Sequence, residues 1–230
     1  MPVRVHAVRC GPRAALAASI FLPALLIAGC AGSPHLYASV HHHAISLGSG
    51  SLEGGGLAFV TPSVALGKEE DKQIIALIFS ETLVDRRPEI TVVTLPETLG
   101  LINSNGYAEN YRRMYEDYRD TGIFRREFLA QIGALTGARY VAQLNLADFS
   151  QGSVGRFNLL GLRVLETKRA SARLFFQIWD SENGKIAWEG VQEMSYAYDT
   201  TREETVTFHS VVEAAALKLI EVLPAAPEGG

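Results

Sequence analysis

The side chains best suited to ligate metals or attack substrates in this 230-residue chain are six histidines and two cysteines. Four histidines, His35, His41, His42 and His43, fall in one stretch. Imidazole is a common zinc and copper ligand, so this cluster is the first candidate for a metal. The surrounding residues are Ser, Gly and Ala, and adjacent histidines on a flexible segment do not pre-form a site. No cysteine or carboxylate cluster joins them. The reading is therefore a solvated tether with no metal and no cofactor. His209 and Glu213 stand one helical turn apart and could be two ligands or an acid–base couple. Without an apparent third group they read as a surface contact. Gly48, Gly50 and Gly54 nearly mimic a dinucleotide loop, but their spacing misses the fingerprint. Gly67-Lys68 lacks the earlier glycine of a phosphate loop, and Glu69 replaces its Ser or Thr. The nucleophile elbow, the paired-histidine zinc helix and the paired-cysteine redox motif are all absent from the sequence. No catalytic residue is assigned, and the expectation is a protein that is not an enzyme.

The cysteines have a different setting. Arg4, Arg9 and Arg13 precede an apolar run over residues 14–29, broken only by Ser19 and Pro23. A charged start, a short apolar run and small residues make a secretory signal peptide. The run is shorter than the roughly 20 apolar residues of a membrane-spanning helix. Its end, Leu26-Ile27-Ala28-Gly29-Cys30, resembles the lipobox of bacterial lipoproteins: a branched aliphatic, two small residues, then cysteine. The resemblance implies that residues 1–29 are removed and that the Cys30 thiol takes a diacylglycerol. Further acylation, by palmitate-type chains, would complete the anchor; each buried methylene contributes about 0.8 kcal/mol. In that family an Asp after the cysteine retains the protein in the inner membrane. Ala31 is not Asp, so the implied location is the periplasmic face of the outer membrane. Cys10 leaves with the leader, and no thiol remains for a disulfide.

Without its leader the chain is long enough for one domain and its core. The leader holds three arginines and no acid, so the net charge falls from −4 to −7. That acidic balance argues against nucleic acid as a partner. Residues 30–56, rich in Ser, Gly and His, read as a flexible tether of roughly 25–30 Å average span. Residues 57–224 read as the domain and residues 225–230 as a tail.

Within the domain, Leu57-Ala58-Phe59-Val60-Thr61 reads as a first strand. Glu69-Glu70-Asp71 opens a helix to about Leu83, acids in its first turn suiting the helix dipole. The β-branched run Ile90-Thr91-Val92-Val93-Thr94 reads as a strand. Pro96 starts a short helix. Tyr107, Tyr111, Tyr115 and Tyr118 share one face of the next, a stripe that is usually core with wet phenol tips. Phe124, Phe128, Leu129, Ile132 and Leu135 mark another helix, stopped at Gly137. Residues 139–149 and 168–180 alternate as strands. Asn183-Gly184 turns the second into a return strand with Ile186 and Trp188. A last helix spans about residues 203–223. The order predicts an α/β fold: a single three-layer-like sandwich with a mixed sheet of about five strands, flanking helices, and a C-terminal helix after a β-hairpin.

The lipobox, the helix end Leu135-Thr136-Gly137-Ala138, the strand Arg139-Tyr140-Val141-Ala142-Gln143-Leu144 and the hairpin Trp179-Asp180-Ser181-Glu182-Asn183-Gly184-Lys185-Ile186-Ala187-Trp188 together carry a resemblance. They resemble the α/β domain shared by the curli secretion channel lipoprotein, the outer-membrane activators of penicillin-binding proteins and a ring-forming lipoprotein of exopolysaccharide export. The resemblance implies an assembly or regulatory protein. The channel member carries membrane hairpins at two places. Here Arg156, Arg163, Glu166 and Lys168 interrupt the first, and residues 191–205 are short and polar, so no pore is expected. Phe157, Leu159, Leu160 and Leu162 remain as an apolar loop cluster, either tucked over the core or forming a docking patch. With Tyr111 and Tyr115 they are the candidate partner-binding residues. The leading expectation is a lipid-anchored periplasmic accessory or adaptor for envelope assembly or export. It would be held by its membrane anchor and bind a periplasmic or outer-membrane protein. Alternatives are a ring-forming export-channel subunit, which would be a homo-oligomer, and a periplasmic hydrolase or metal-binding protein.

Overall fold

The computed structural model describes residues 35–64, 69–159, 162–200 and 207–226. The leader and Cys30 lie outside them. The elements are β1 (His35–Ala44), α1 (Ser51–Gly55), β2 (Leu57–Phe59), β3 (Ser63–Val64), α2 (Glu69–Arg86), β4 (Val92–Val93) and α3 (Leu95–Ser104). They continue with α4 (Ala108–Thr121), α5 (Arg126–Thr136), β5 (Tyr140–Leu159), β6 (Leu162–Asp180), β7 (Lys185–Thr200) and α6 (Phe208–Glu221). One mixed sheet runs in the order β1-β7-β6-β5-β2-β4, with β3 also pairing with β5. Strands β2, β3 and β4 join by parallel pairing, whereas β1, β5, β6 and β7 pair antiparallel.

Strand alternation sends side chains to two cores. Tyr140, Ala142, Leu144 and Leu146 of β5 join Leu174, Phe176 and Ile178 of β6 beneath α2 and α6. Phe79 and Trp188 each meet Phe176 edge-on, at 5.6 and 5.4 Å between ring centroids. Val141 and Trp179 face the other way, under α3, α4 and α5. There Phe124 stacks on Tyr118 at 4.2 Å and meets Trp179 edge-on at 5.3 Å. Each fully buried Leu or Phe contributes about 1.5–3 kcal/mol. The sheet thus has a helical layer on each side, the sandwich expected from the sequence.

Local chemistry sets the helix ends. Thr94 and Glu97 close a capping box at α3, with the Thr94 N–H donating to Glu97 Oε2 at 2.8 Å. Gly122 and Gly137 take positive φ and end α4 and α5. Thr207 accepts the Ser210 N–H at 3.1 Å and starts α6.

Several expectations are corrected. The stretch read as a tether contains β1, paired with β7 from His35 to Ala44, and α1, which buries Leu52. An edge strand takes its hydrogen bonds from its neighbour's backbone, so β1 forms with few core-facing residues to announce it. The sheet has seven strands instead of about five, the additions being β1 and the two-residue β3. The strand expected over residues 90–94 shortens to Val92–Val93, with Ile90 buried beside it. Residues 150–159 and 162–167, read as loop, continue β5 and β6, and β7 runs on to Thr200.

Candidate functional site

Helices α3, α4 and α5 cover only part of their side of the sheet. Beyond them β6, β7 and β1 present a face that is open among the described residues, with Phe175, Glu193, His41 and His43 exposed. The register fixes which side chains share it. Phe175 is opposite Val191 and Gln177 opposite Glu189 across β6 and β7. Val191 is opposite His41 and Glu189 opposite His43 across β7 and β1. Paired residues of antiparallel strands point to the same side. These six line a shallow cavity of about 250 Å³, to which His42 and Gly190 also contribute. Phe175 keeps 36% of its surface exposed, high for a phenylalanine inside a sheet. Arg173 and Glu193 extend the face with an ion pair at 2.8 Å.

His42 belongs to the opposite side. It pairs with Gly190, against whose Cα the Trp188 ring packs, and stacks on that ring at 6.3 Å with planes 18° apart. The three consecutive histidines are thus split by strand alternation, two on the open face and one over the α6 core. The end of β1 is fixed by Ala187, whose carbonyl accepts N–H donors from Ile45, Ser46 and Leu47 at 3.0, 2.9 and 3.0 Å. Ala187 is the extra residue of a β-bulge, since Ile178 pairs with Trp188 but Trp179 with Ile186.

The tyrosine stripe of α4 is engaged within the chain. The Thr61 N–H donates to Tyr111 Oη at 2.8 Å, and the Thr61 hydroxyl lies 2.8 Å from the same atom. The Tyr115 hydroxyl donates to the Pro62 carbonyl at 2.6 Å. Tyr118 is buried and donates to Gln177 Oε1 at 3.1 Å, tying α4 to the open face. Burial pushes the Tyr111 phenol up to about 12, although its bonds from Thr61 act in the other direction. Burial also pushes Tyr118 up to about 12.

The apolar cluster of the sequence falls at the end of the β5–β6 hairpin. Phe157 pairs with Leu165 and Leu159 with Leu162, while Leu160 lies outside the described residues. The parallel partners of β5 end at Leu146, and the β7 partner of β6 ends opposite Glu166. From Phe157 to Leu165 the two strands therefore pair only with each other among the described residues.

His209 and Glu213 are exposed on α6. Among the described residues, no three His, Cys, Asp or Glu side chains are already gathered to hold a metal. Gly48 to Gly54 form a turn and the start of α1, not a phosphate loop. Gly67-Lys68 lies outside the described residues. No helix among the described residues is long and apolar enough to cross a membrane. Sequence reasoning missed the open face. Its histidines were visible, but their alignment with Glu189 exists only through the β1–β7 register.

No protein-family model matches the chain, and no curated protein matches it. Among solved structures, the PelC dodecamer of Paraburkholderia phytofirmans is similar at 13% identity and a TM-score of 0.44, covering 83% of this chain and 100% of its own. Lipoprotein GNA1162 of Neisseria meningitidis is similar at 12% identity and 0.37, covering 73% and 99%. The LpoB C-terminal domain of Salmonella enterica is similar at 14% identity and 0.32, covering 64% and 84%. At these scores the likeness is one of outline, and no residue role is transferred from it.

Proposed function

We propose that this chain is a non-catalytic accessory or adaptor protein of the bacterial envelope, anchored through acylated Cys30 on the periplasmic face of the outer membrane. It works by protein contacts in assembly or export. The observation that carries this reading is the β5–β6 hairpin, whose strands pair only with each other from Phe157 to Leu165 among the described residues. A two-stranded arm in water is marginally stable by itself. Phe157, Leu159 and Leu162 fall on this arm, with Leu160 beside them in the sequence, and an apolar hairpin end of this composition suits contact with a partner. The hydroxyls of Tyr111 and Tyr115 are committed to Thr61 and Pro62, so the main contact is assigned to the hairpin end.

The test is a cross-linked pull-down from detergent-solubilised envelopes. It compares the native chain with one carrying Phe157→Ser, Leu159→Ser and Leu162→Ser. The expected result is a specific protein recovered with the native chain and lost from the variant, with both remaining in the membrane fraction. Recovery of no specific protein, or equal recovery by both, overturns the reading.

A further inference from the structure

We propose that His41, His43 and Glu189 form a binding site for a divalent transition metal of the zinc class on the open face of the sheet. The inference does not depend on the adaptor reading or the lipid anchor. The expectation of no metal assumed that the histidines sit on a flexible segment that no cysteine or carboxylate cluster joins. The first premise fails, because the histidines lie in β1, and that strand makes Glu189 the direct cross-strand partner of His43.

The geometry favours convergence. His41 and His43 are two residues apart on one strand, so they share a face with Cα atoms about 6.5–7 Å apart. Glu189 stands opposite His43, at the Cβ separation of about 4.5–5.5 Å usual for facing residues. All three line the same cavity of about 250 Å³, room for an ion and its waters. Two imidazoles and one carboxylate are a donor set zinc accepts, with the remaining position left to water. As the side chains stand they are not drawn together, and coordination requires their rotation. Both histidines are exposed, so no described residue packed over them opposes that movement. The next layer is in place as well. Gln177 is the other cross-strand neighbour of Glu189, and its amide oxygen is held by Tyr118 at 3.1 Å. Its amide nitrogen is then the end suited to orient the carboxylate, as outer-shell groups do around metal ligands.

The strand register makes the proposal sharp. A disordered histidine run would use any of its imidazoles. A site built on β1 uses His41 and His43 and excludes His42, which stacks on Trp188 on the other side. The experiment is calorimetric titration of the full chain in detergent, free of any purification tag, with zinc against a competing chelator. Cobalt(II) absorption serves as the coordination readout, and thermal melting as the check on folding. One zinc per chain is expected. His41→Ala, His43→Ala and Glu189→Gln should each weaken binding by roughly tenfold or more, since even outer-shell losses cost about 10–100-fold. His43→Cys, which keeps a ligand, should restore much of the affinity. His42→Ala should leave binding within about twofold, well under the tenfold that 1.4 kcal/mol represents. The proposal is overturned if His42→Ala weakens zinc as much as His43→Ala does. It is also overturned if Glu189→Gln changes neither affinity nor the cobalt spectrum, or if the native chain binds no zinc.

Discussion

Three phenols and one carboxylate hold the helical layer of α3–α5 and the β6–β7 turn in place. Tyr111 accepts the Thr61 N–H and so satisfies a backbone donor just after β2. Tyr111→Phe leaves that donor without its acceptor and should cost about 1–3 kcal/mol, read from denaturant midpoints. The phenols of Tyr111 and Tyr118, both held near 12, also set an alkaline limit. Their folded values lie above the unfolded value of about 10, so the folded state retains protons the unfolded state loses. Their contribution is complete below about pH 10 and is lost as pH rises through about 12. Tyrosinate absorbance should show these two phenols un-ionised at pH values where exposed tyrosines have titrated, with the stability falling over the same window. Asp180 acts at the acid end. Burial works to raise its carboxyl, but Arg139 at 2.8 Å and the Glu182 N–H at 2.9 Å outweigh burial and hold it below the usual range. Its contribution is present above the unfolded value of about 3.9 and lost as pH falls through the depressed folded value. Asp180→Asn should lower stability at neutral pH and flatten the acid limb of a plot of denaturant midpoint against pH.

Helix α6 lies on the sheet at a distance one glycine permits. A Cβ built on Gly190 would come within 2.4 Å of Trp188 Cη2 and 3.0 Å of Leu219 Cδ2. Trp188 is fully buried against Phe176 and cannot yield, so α6 would have to lift. Gly190→Ala should cost about 1–3 kcal/mol. For a domain of this size that lowers the melting temperature by about 2–4 °C per kcal/mol, measurable by circular dichroism. The elements most legible in the sequence are those with strong periodicity. Tyr111, Met114 and Tyr118 announce α4, Leu129 and Ile132 announce α5, and Leu144, Phe176 and Ile178 announce the sheet centre. The edge was not legible, because β1 is held by the β7 backbone and carries Ser, Ala and His where a core strand carries Val and Ile. The hairpin extension was hidden for a related reason. Gly152, Gly155, Arg156 and Lys168 break the alternation, yet β5 and β6 continue to pair through them with register shifts near Phe157. The open face shares that origin. Histidine types are visible in a sequence, whereas the cross-strand pairing of His43 with Glu189 is a property of the folded register.

For the whole molecule, the strand at residues 35–44 alters what an anchor at Cys30 would do. A tether to residue 56 would have let the domain range roughly 25–30 Å on average. With β1 beginning at His35, only residues 31–34 separate the sheet from the proposed acyl site. Five Cα steps of at most about 3.6 Å cover no more than about 18 Å. An acylated chain would therefore keep the sheet edge close to the lipid headgroups, and a partner must come to that layer to be met. Cys30→Ala tests this arrangement at its root. The described elements begin at His35, so the substitution changes none of their side chains. The variant should melt at the temperature of the native domain yet move from the membrane to the soluble periplasmic fraction. With the anchor gone, co-isolation of a membrane-bound partner should drop even though the β5–β6 hairpin is intact. A Cys30→Ala chain that still sediments with outer membranes would mean that something other than an acyl group holds the protein there. A variant that is soluble but melts at a much lower temperature would mean that the residues before β1 contribute to the fold.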